Sequence, residues 1–307
     1  MDIVSHGLAG LLVARAVNPT PGRAGVAAAV IGALAPDVDA AAKLWDPLAS
    51  ISTHRIPTHS LVGGVVLALG AAGVARAFGG RFWRLAALAY LGLLTHVALD
   101  SFTPFGTAFL WPLDWRRWSV GSLHATDPIV MLILLAGLLP WRRRQATGVA
   151  RAGALALLGY MLLGVVVMKS VETRWGRVVG ATASPSARAV VVPALPPLLR
   201  WLGAADTSGG IVQARFWVWD VTPAGGRLFP TSGVADGAPS VDGHPAVEAF
   251  WKAAKLPWRR AVREGDAWVI EYQDLAHVDH PLGGPMVLRL RLDASGAVRA
   301  AELDHRF

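Results

Sequence analysis

Six apolar runs pattern the first half of the chain: Ile3–Val17, Ala24–Leu34, Leu61–Val74, Leu85–Leu99, Pro128–Leu139 and Ala152–Met168. Several are shorter than the roughly 20 residues that cross a bilayer, so some of the helices they predict must be short, tilted or extended by their flanks. Gly7, Gly10, Gly63, Gly64, Gly70 and Gly73 fall within these runs, and small residues suit close helix packing in lipid. The pattern changes after about Thr173. Residues 175–210, with Pro185, Pro193, Pro196 and Pro197, read as a linker that hugs the membrane or the bundle. Strand-like alternation follows in Ile211–Val221, Ala267–Val278, Met286–Asp293 and Ala297–His305, with turns at Gly225-Gly226 and Gly283-Gly284 and one helix at Pro245–Leu256. The expected architecture is an α-helical integral membrane bundle of about six helices (residues 1–172), a linker (173–210) and a small α+β soluble domain (211–307).

Composition supports the membrane reading. Of 307 residues, 53% are hydrophobic and only 16% charged, and the mean hydropathy is +0.44. A net charge of +8 raises the question of nucleic acid, but the arginines are accounted for by position. Arg15 and Arg23 flank the first connection, Arg76, Arg81 and Arg84 the third, and Arg142, Arg143, Arg144 and Arg151 the fifth, with no acidic residue among them. By the positive-inside rule these connections are cytoplasmic. The expected topology has six crossings, with both termini and everything after Met168 outside. Trp45, Trp111, Trp115 and Trp118 would mark the outer interface, and Trp83 and Trp141 the inner one. A removable signal peptide fits poorly, since Asp2 replaces a basic start and Arg15 ends the apolar run.

Placed on that topology, the ionisable residues near the helices collect at the outer end. His6 lies one turn into the first helix. Asp37 and Asp39 follow Pro36 at the end of the second, and His54 and His59 precede the third. His96 and Asp100, four apart, share one face of the fourth, and His124 and Asp127 precede the fifth. Pro57 disfavours helix at Ile56, so Thr58 reads as the helix N-cap and His59 as first-turn. With no cysteine, any metal must be held by imidazole and carboxylate, which suit a divalent ion: zinc first, with manganese or iron as alternatives. The candidate ligands are His6, Asp37, Asp39, His54, His59, His96, Asp100 and His124. Arg55 would neutralise a phosphoryl oxygen, with Thr58 or Ser60 nearby, and Asp37 and Asp127 complete the catalytic candidates. His277-Val278-Asp279-His280 has metal-like spacing but reads as a strand end, and Phe216, Trp217 and Trp219 read as domain core.

Five features together carry a resemblance: His6, Pro36-Asp37-Val38-Asp39, the run His54–Ser60, His96-x-x-x-Asp100, and the following Ser101-Phe102-Thr103-Pro104-Phe105-Gly106. Over about residues 1–170 the chain resembles the YdjM-like family of bacterial inner-membrane proteins, described as predicted metal-dependent hydrolases. The ligand order is also similar to that of the zinc-dependent phospholipase C and single-strand nuclease superfamily. That likeness implies ligands at His6, Asp37, His59, His96 with Asp100, and His124. It departs where the superfamily has His-x-x-x-Glu and this chain has Asp127 three residues after His124.

The function these readings imply is a multi-pass inner-membrane hydrolase with an extracytoplasmic His/Asp metal site. Its substrate would be a phosphoester, such as a phospholipid or lipid-linked phosphate, and its partners membrane lipid and that substrate rather than nucleic acid. A transporter would place ionisable groups mid-helix, where Leu61–Val74 and Ala152–Met168 have none. A non-catalytic scaffold with a structural metal site is the other alternative.

Overall fold

The computed structural model describes residues 1–18, 20–44, 46, 53–139, 146–180, 188–220, 226–230, 237–276 and 286–304. Trp45, Trp141, Arg142–Arg144, Pro185, the Gly283-Gly284 turn and the His277–His280 motif lie outside these residues. The chain divides into two compact units, Met1–Ala41 with Thr53–Val166, and Val167–Phe307 with Ala42–Ser52.

The first unit is helical: α1 Ile3–Val17, α2 Gly22–Leu34 followed by a 3₁₀ turn Ala35–Leu44, α3 Leu61–Ala75, α4 Phe82–Phe102, α5 Pro128–Leu138 and the start of α6 Ala146–Gly180. Among the described residues, four stretches are long and apolar enough to cross a membrane, namely Gly22–Ala41, Leu61–Phe78, Phe82–Phe102 and Ala146–Gly180. Helices α1 and α5 are apolar but shorter. Large aliphatic side chains stand exposed along α3 (Val62, Val66, Val74) and α6 (Leu155, Leu158, Leu162, Val166), an arrangement suited to lipid rather than water.

Helix α2 packs against α4 with almost no side chain between them. A Cβ added at Gly32 would lie 2.1 Å from the Ala89 carbonyl oxygen, and one at Gly92 2.1 Å from that of Ala29. The surrounding core is built of alanines, including Ala28, Ala68, Ala72 and Ala89. Gly10 and Gly64 are close-packed as expected, whereas Gly70 and Gly73 face open space.

Helix entry differs from expectation at α3. Its N-cap is Ser60, whose hydroxyl donates to the Pro57 carbonyl and accepts from the Gly63 amide at 2.8 Å. A Cβ at position 63 would meet the Pro57 oxygen at 2.0 Å, so the turn requires glycine there. His59 therefore precedes the helix, and the Thr58 hydroxyl is free of capping duty. Asp2 caps α1 by accepting from the Ser5 amide.

The second unit is richer in strands than expected. Among the described residues it contains two antiparallel meanders of four strands. The first is β1 Ala189–Ala194, β2 Arg200–Thr207, β3 Gly210–Trp217 and β4 Arg227–Pro230; the second is β5 Pro257–Glu264, β6 Ala267–Asp274, β7 Val287–Leu292 and β8 Val298–Asp304. Helix α7, Pro245–Ala253, sets Val247 and Phe250 into a core with Ile270, Tyr272, Leu288 and Leu290. The stretch read as a linker, 173–210, carries regular structure where it is described. Helix α6 runs on to Gly180 and β1 and β2 follow. Pro193 misled because β1 is an edge strand, where a missing amide donor is tolerated.

The α2–α4 contact yields a direct test. Gly92→Ala should cost about 1–3 kcal/mol through overpacking, seen as a lower thermal midpoint by circular dichroism in detergent. Gly70→Ala should leave the midpoint unchanged or raised, and equal loss in both would contradict the packing.

Candidate metal centre

Three elements meet at one point. The 3₁₀ turn after α2 brings Asp37, the turn before α3 brings His59, and α4 brings His96 and Asp100 one turn apart. One donor atom from each of these four lies within 4.8 Å of all the others. His59, His96 and Asp100 are fully buried, while the Asp37 side chain is 25% exposed.

Proton bookkeeping fixes the two imidazoles. His96 Nδ1 lies 2.7 Å from the Ala33 carbonyl oxygen. A carbonyl only accepts, so Nδ1 carries the hydrogen and Nε2 a lone pair. The Thr58 hydroxyl donates to Asp39 Oδ2, leaving its oxygen to accept from His59 Nδ1 at 3.0 Å. His59 Nε2 then also carries a lone pair. The two Nε2 atoms face each other at 3.1 Å.

Carboxylate oxygens close the set. Asp37 Oδ1 lies 3.5 Å from His59 Nε2 and 3.6 Å from His96 Nε2, and Asp100 Oδ2 lies 3.7 Å from both. Four electron-rich atoms with no hydrogen among them repel unless a cation lies between them. Tetrahedral edges are about 1.6 times the bond length, so zinc-type bonds of about 2.0–2.2 Å give edges of about 3.3–3.6 Å. Five of the six separations, at 3.1–3.7 Å, lie close to that spacing, and these residues fit a divalent metal. Burial lowers the proton affinity of His59, but the Asp37 and Asp39 carboxylates outweigh it and its pKa stands above the ordinary value.

The other candidates take different places. Asp39 is not among the four; it orients them. Its oxygens accept from His54 Nδ1 at 2.6 Å, from the Thr58 hydroxyl and from the Arg55 amide at 3.1 Å. Such a carboxylate behind a ligating histidine fixes the ring and raises its basicity. His54 forms a His–Asp pair with Asp39 at the edge of the group, 25% exposed. His6 stacks on the His96 ring at 3.6 Å, with Nε2 3.3 Å from Asp100 Oδ1; the Met1 amino group contacts the same oxygen.

Arg55 is held from every side. Its φ of 67° places it in the left-handed region, its amide bonds Asp39, and its carbonyl accepts from Ala108. The guanidinium lies 3.0 Å from Asp100 Oδ2 as an ion pair and 5.2 Å over the Phe105 ring. Asp100 Oδ2 nonetheless has no well-aligned hydrogen-bond donor, as expected of an oxygen aimed at a metal.

His124 and Asp127 stand outside the cluster. Asp127 caps α5, accepting from the Ile129 and Val130 amides and the Tyr160 hydroxyl. His124 Nδ1 accepts from the Thr126 amide and bonds its hydroxyl. A carboxylate beside Pro128 is a helix-cap signal, and that outweighs the superfamily likeness. Sequence reasoning gave no role to the Ala33 carbonyl, which has no sequence signal, or to the Phe105 ring, which entered only as part of the motif after Asp100.

A helical membrane protein with a buried Asp/His/His/Asp cluster at helix ends is the class these features define. The chain belongs to the YdjM inner membrane protein family, which it matches over residues 1–173. That span contains every member of the cluster, and the β-sheet unit falls almost wholly beyond it. It is also similar to the uncharacterized protein YfhP of Bacillus subtilis (strain 168), with 24% identity over 177 residues, covering 57% of this chain and 54% of the relative. The chain thus spans about half the length of that curated relative. No solved structure matches it.

Metal analysis of purified protein checks the cluster. The wild type should retain a divalent metal, and His59→Ala or Asp100→Asn should lose it. Thr58→Val should weaken affinity about 10- to 100-fold by freeing the ring. Asp127→Asn should keep the metal, and loss of metal there would contradict the assignment.

Proposed function

We propose that this chain is an integral-membrane, metal-dependent hydrolase acting on a phosphoester, with a phospholipid or lipid-linked phosphate as the substrate class. The observation that carries the reading is the pair of facing imidazole lone pairs enclosed by two carboxylates, with an arginine at 3.0 Å. A metal held by Asp37, His59, His96 and Asp100 would supply Lewis acidity and an activated water, with zinc the first candidate and manganese or iron the others. Its location at helix ends in a membrane protein brings lipid headgroups within reach. Under the positive-inside reading, six crossings put this end and the C-terminal unit outside the cytoplasm.

The chain's own residues divide the work. Arg55 is fixed by Phe105, Asp39 and Ala108, so its guanidinium is pre-oriented to take a non-bridging phosphoryl oxygen. His54 donates Nδ1–H to Asp39, which leaves Nε2 to accept or return a proton at the exposed edge. Asp39 couples that proton-transfer group to the ring orientation of His59. His6 Nε2 is the donor left for a second ion, since the Met1 amino group occupies Asp100 Oδ1.

One observation favours a non-catalytic scaffold instead: four protein donors can close a tetrahedral sphere, as in structural sites. Turnover separates the two readings. Purified protein in mixed micelles should release phosphate or a phosphorylated headgroup from phospholipid in a chelator-sensitive manner. His54→Gln should retain metal while activity falls about 10²- to 10⁴-fold. Full metal occupancy with no turnover of any phosphoester would favour the scaffold.

A further inference from the structure

In the first sheet, alternation buries Phe216, which stacks on Trp175 of α6 at 5.6 Å. It turns Trp217 outward, and Trp219 follows in the turn beyond. Trp217 and Trp219, expected in the core, are 36% and 59% exposed and stack on each other at 5.0 Å. Leu199 is exposed beside them, its carbonyl accepting from the Val218 amide at 2.7 Å. Arg200 places its guanidinium 5.6 Å from the Trp217 ring. Two tryptophans, a leucine and an arginine at one sheet end have the composition of a membrane-interface anchor.

Helix α6 sets the level of this patch. Its 35 residues extend about 52 Å, well beyond the roughly 30 Å hydrocarbon core. The apolar part ends at Met168, and the exposed Lys169–Glu172 ion pair begins the polar part. Arg174 is six residues past Met168, about 9 Å along the axis, comparable with the headgroup layer. Its guanidinium donates to the Val218 carbonyl, and helical side chains lean toward the N-terminus, here back toward the bilayer. Trp175, buried against Gly203 and Phe216, locks the sheet to that turn of the helix. With α6 crossing the membrane, Val218 would lie at headgroup depth.

We propose that Trp217, Trp219 and Leu199 bed into the headgroup layer and hold the first sheet on the bilayer surface. This rests on α6 crossing the membrane and not on the chemistry proposed for the metal centre.

The chain has no cysteine, so single nitroxide labels can be introduced directly. Labels at Trp219→Cys, Leu199→Cys (both tryptophans intact), Leu162→Cys on α6 and Ser295→Cys in a polar turn would be read in phosphatidylethanolamine–phosphatidylglycerol vesicles by power saturation. Oxygen-over-nickel-chelate accessibility at 219 and 199 should be several-fold above that at 295 and approach that at 162. Values at 219 and 199 equal to 295, with 162 lipid-like, overturn the proposal while the membrane crossing stands. Shielding of both labels from oxygen and nickel alike indicates a protein cover and also overturns it. A water-like label at 162 removes the premise and the proposal with it.

Discussion

Two imidazole nitrogens, each stripped of its hydrogen by a bond on the opposite side of its ring, face one another in a buried pocket. Everything about this end of the bundle serves that confrontation. The Ala33 carbonyl sets one ring, and Thr58, itself committed to Asp39, sets the other. Two carboxylates complete an arrangement that a cation between the donors would relieve. Because the groups are buried, the cost of leaving them uncompensated is high, so an ion bound there would be coupled to the fold.

The coupling runs through the helix packing. His96 and Asp100 can reach Asp37 only because α4 approaches α2 at backbone distance, with Gly32 and Gly92 in place of side chains. The Ala33 carbonyl that orients His96 lies at that same crossing. The glycines within the helices and the histidines at their ends are one design: close approach at the crossing delivers the donors to a common point.

Much of this was legible in the sequence. The run Ile3–Val17 is α1 because Asp2 and Asn18 bound it with polar, capping residues. The spacing of His96 and Asp100 put both on one face, and the gathering of His and Asp at one end of the runs located the cluster. The role of Asp39 was not legible, because ligand and orienting carboxylate differ only in which atom lies behind them. Asp127 read as chemistry although its oxygens are taken by α5 and Tyr160. In the C-terminal unit, Pro193 on an edge strand and Pro196 and Pro197 in the turn after it concealed β1 and β2. Trp217 and Trp219 passed for core because a hydrophobic run does not disclose which face of a sheet is covered.

X-ray absorption at the metal edge of the purified protein tests the central claim most directly. The account predicts a first shell of nitrogen and oxygen at about 2.0–2.2 Å with the outer-shell scattering of two imidazoles. A metal with no imidazole scattering, or no metal edge in protein loaded and freed of excess ion, would contradict it.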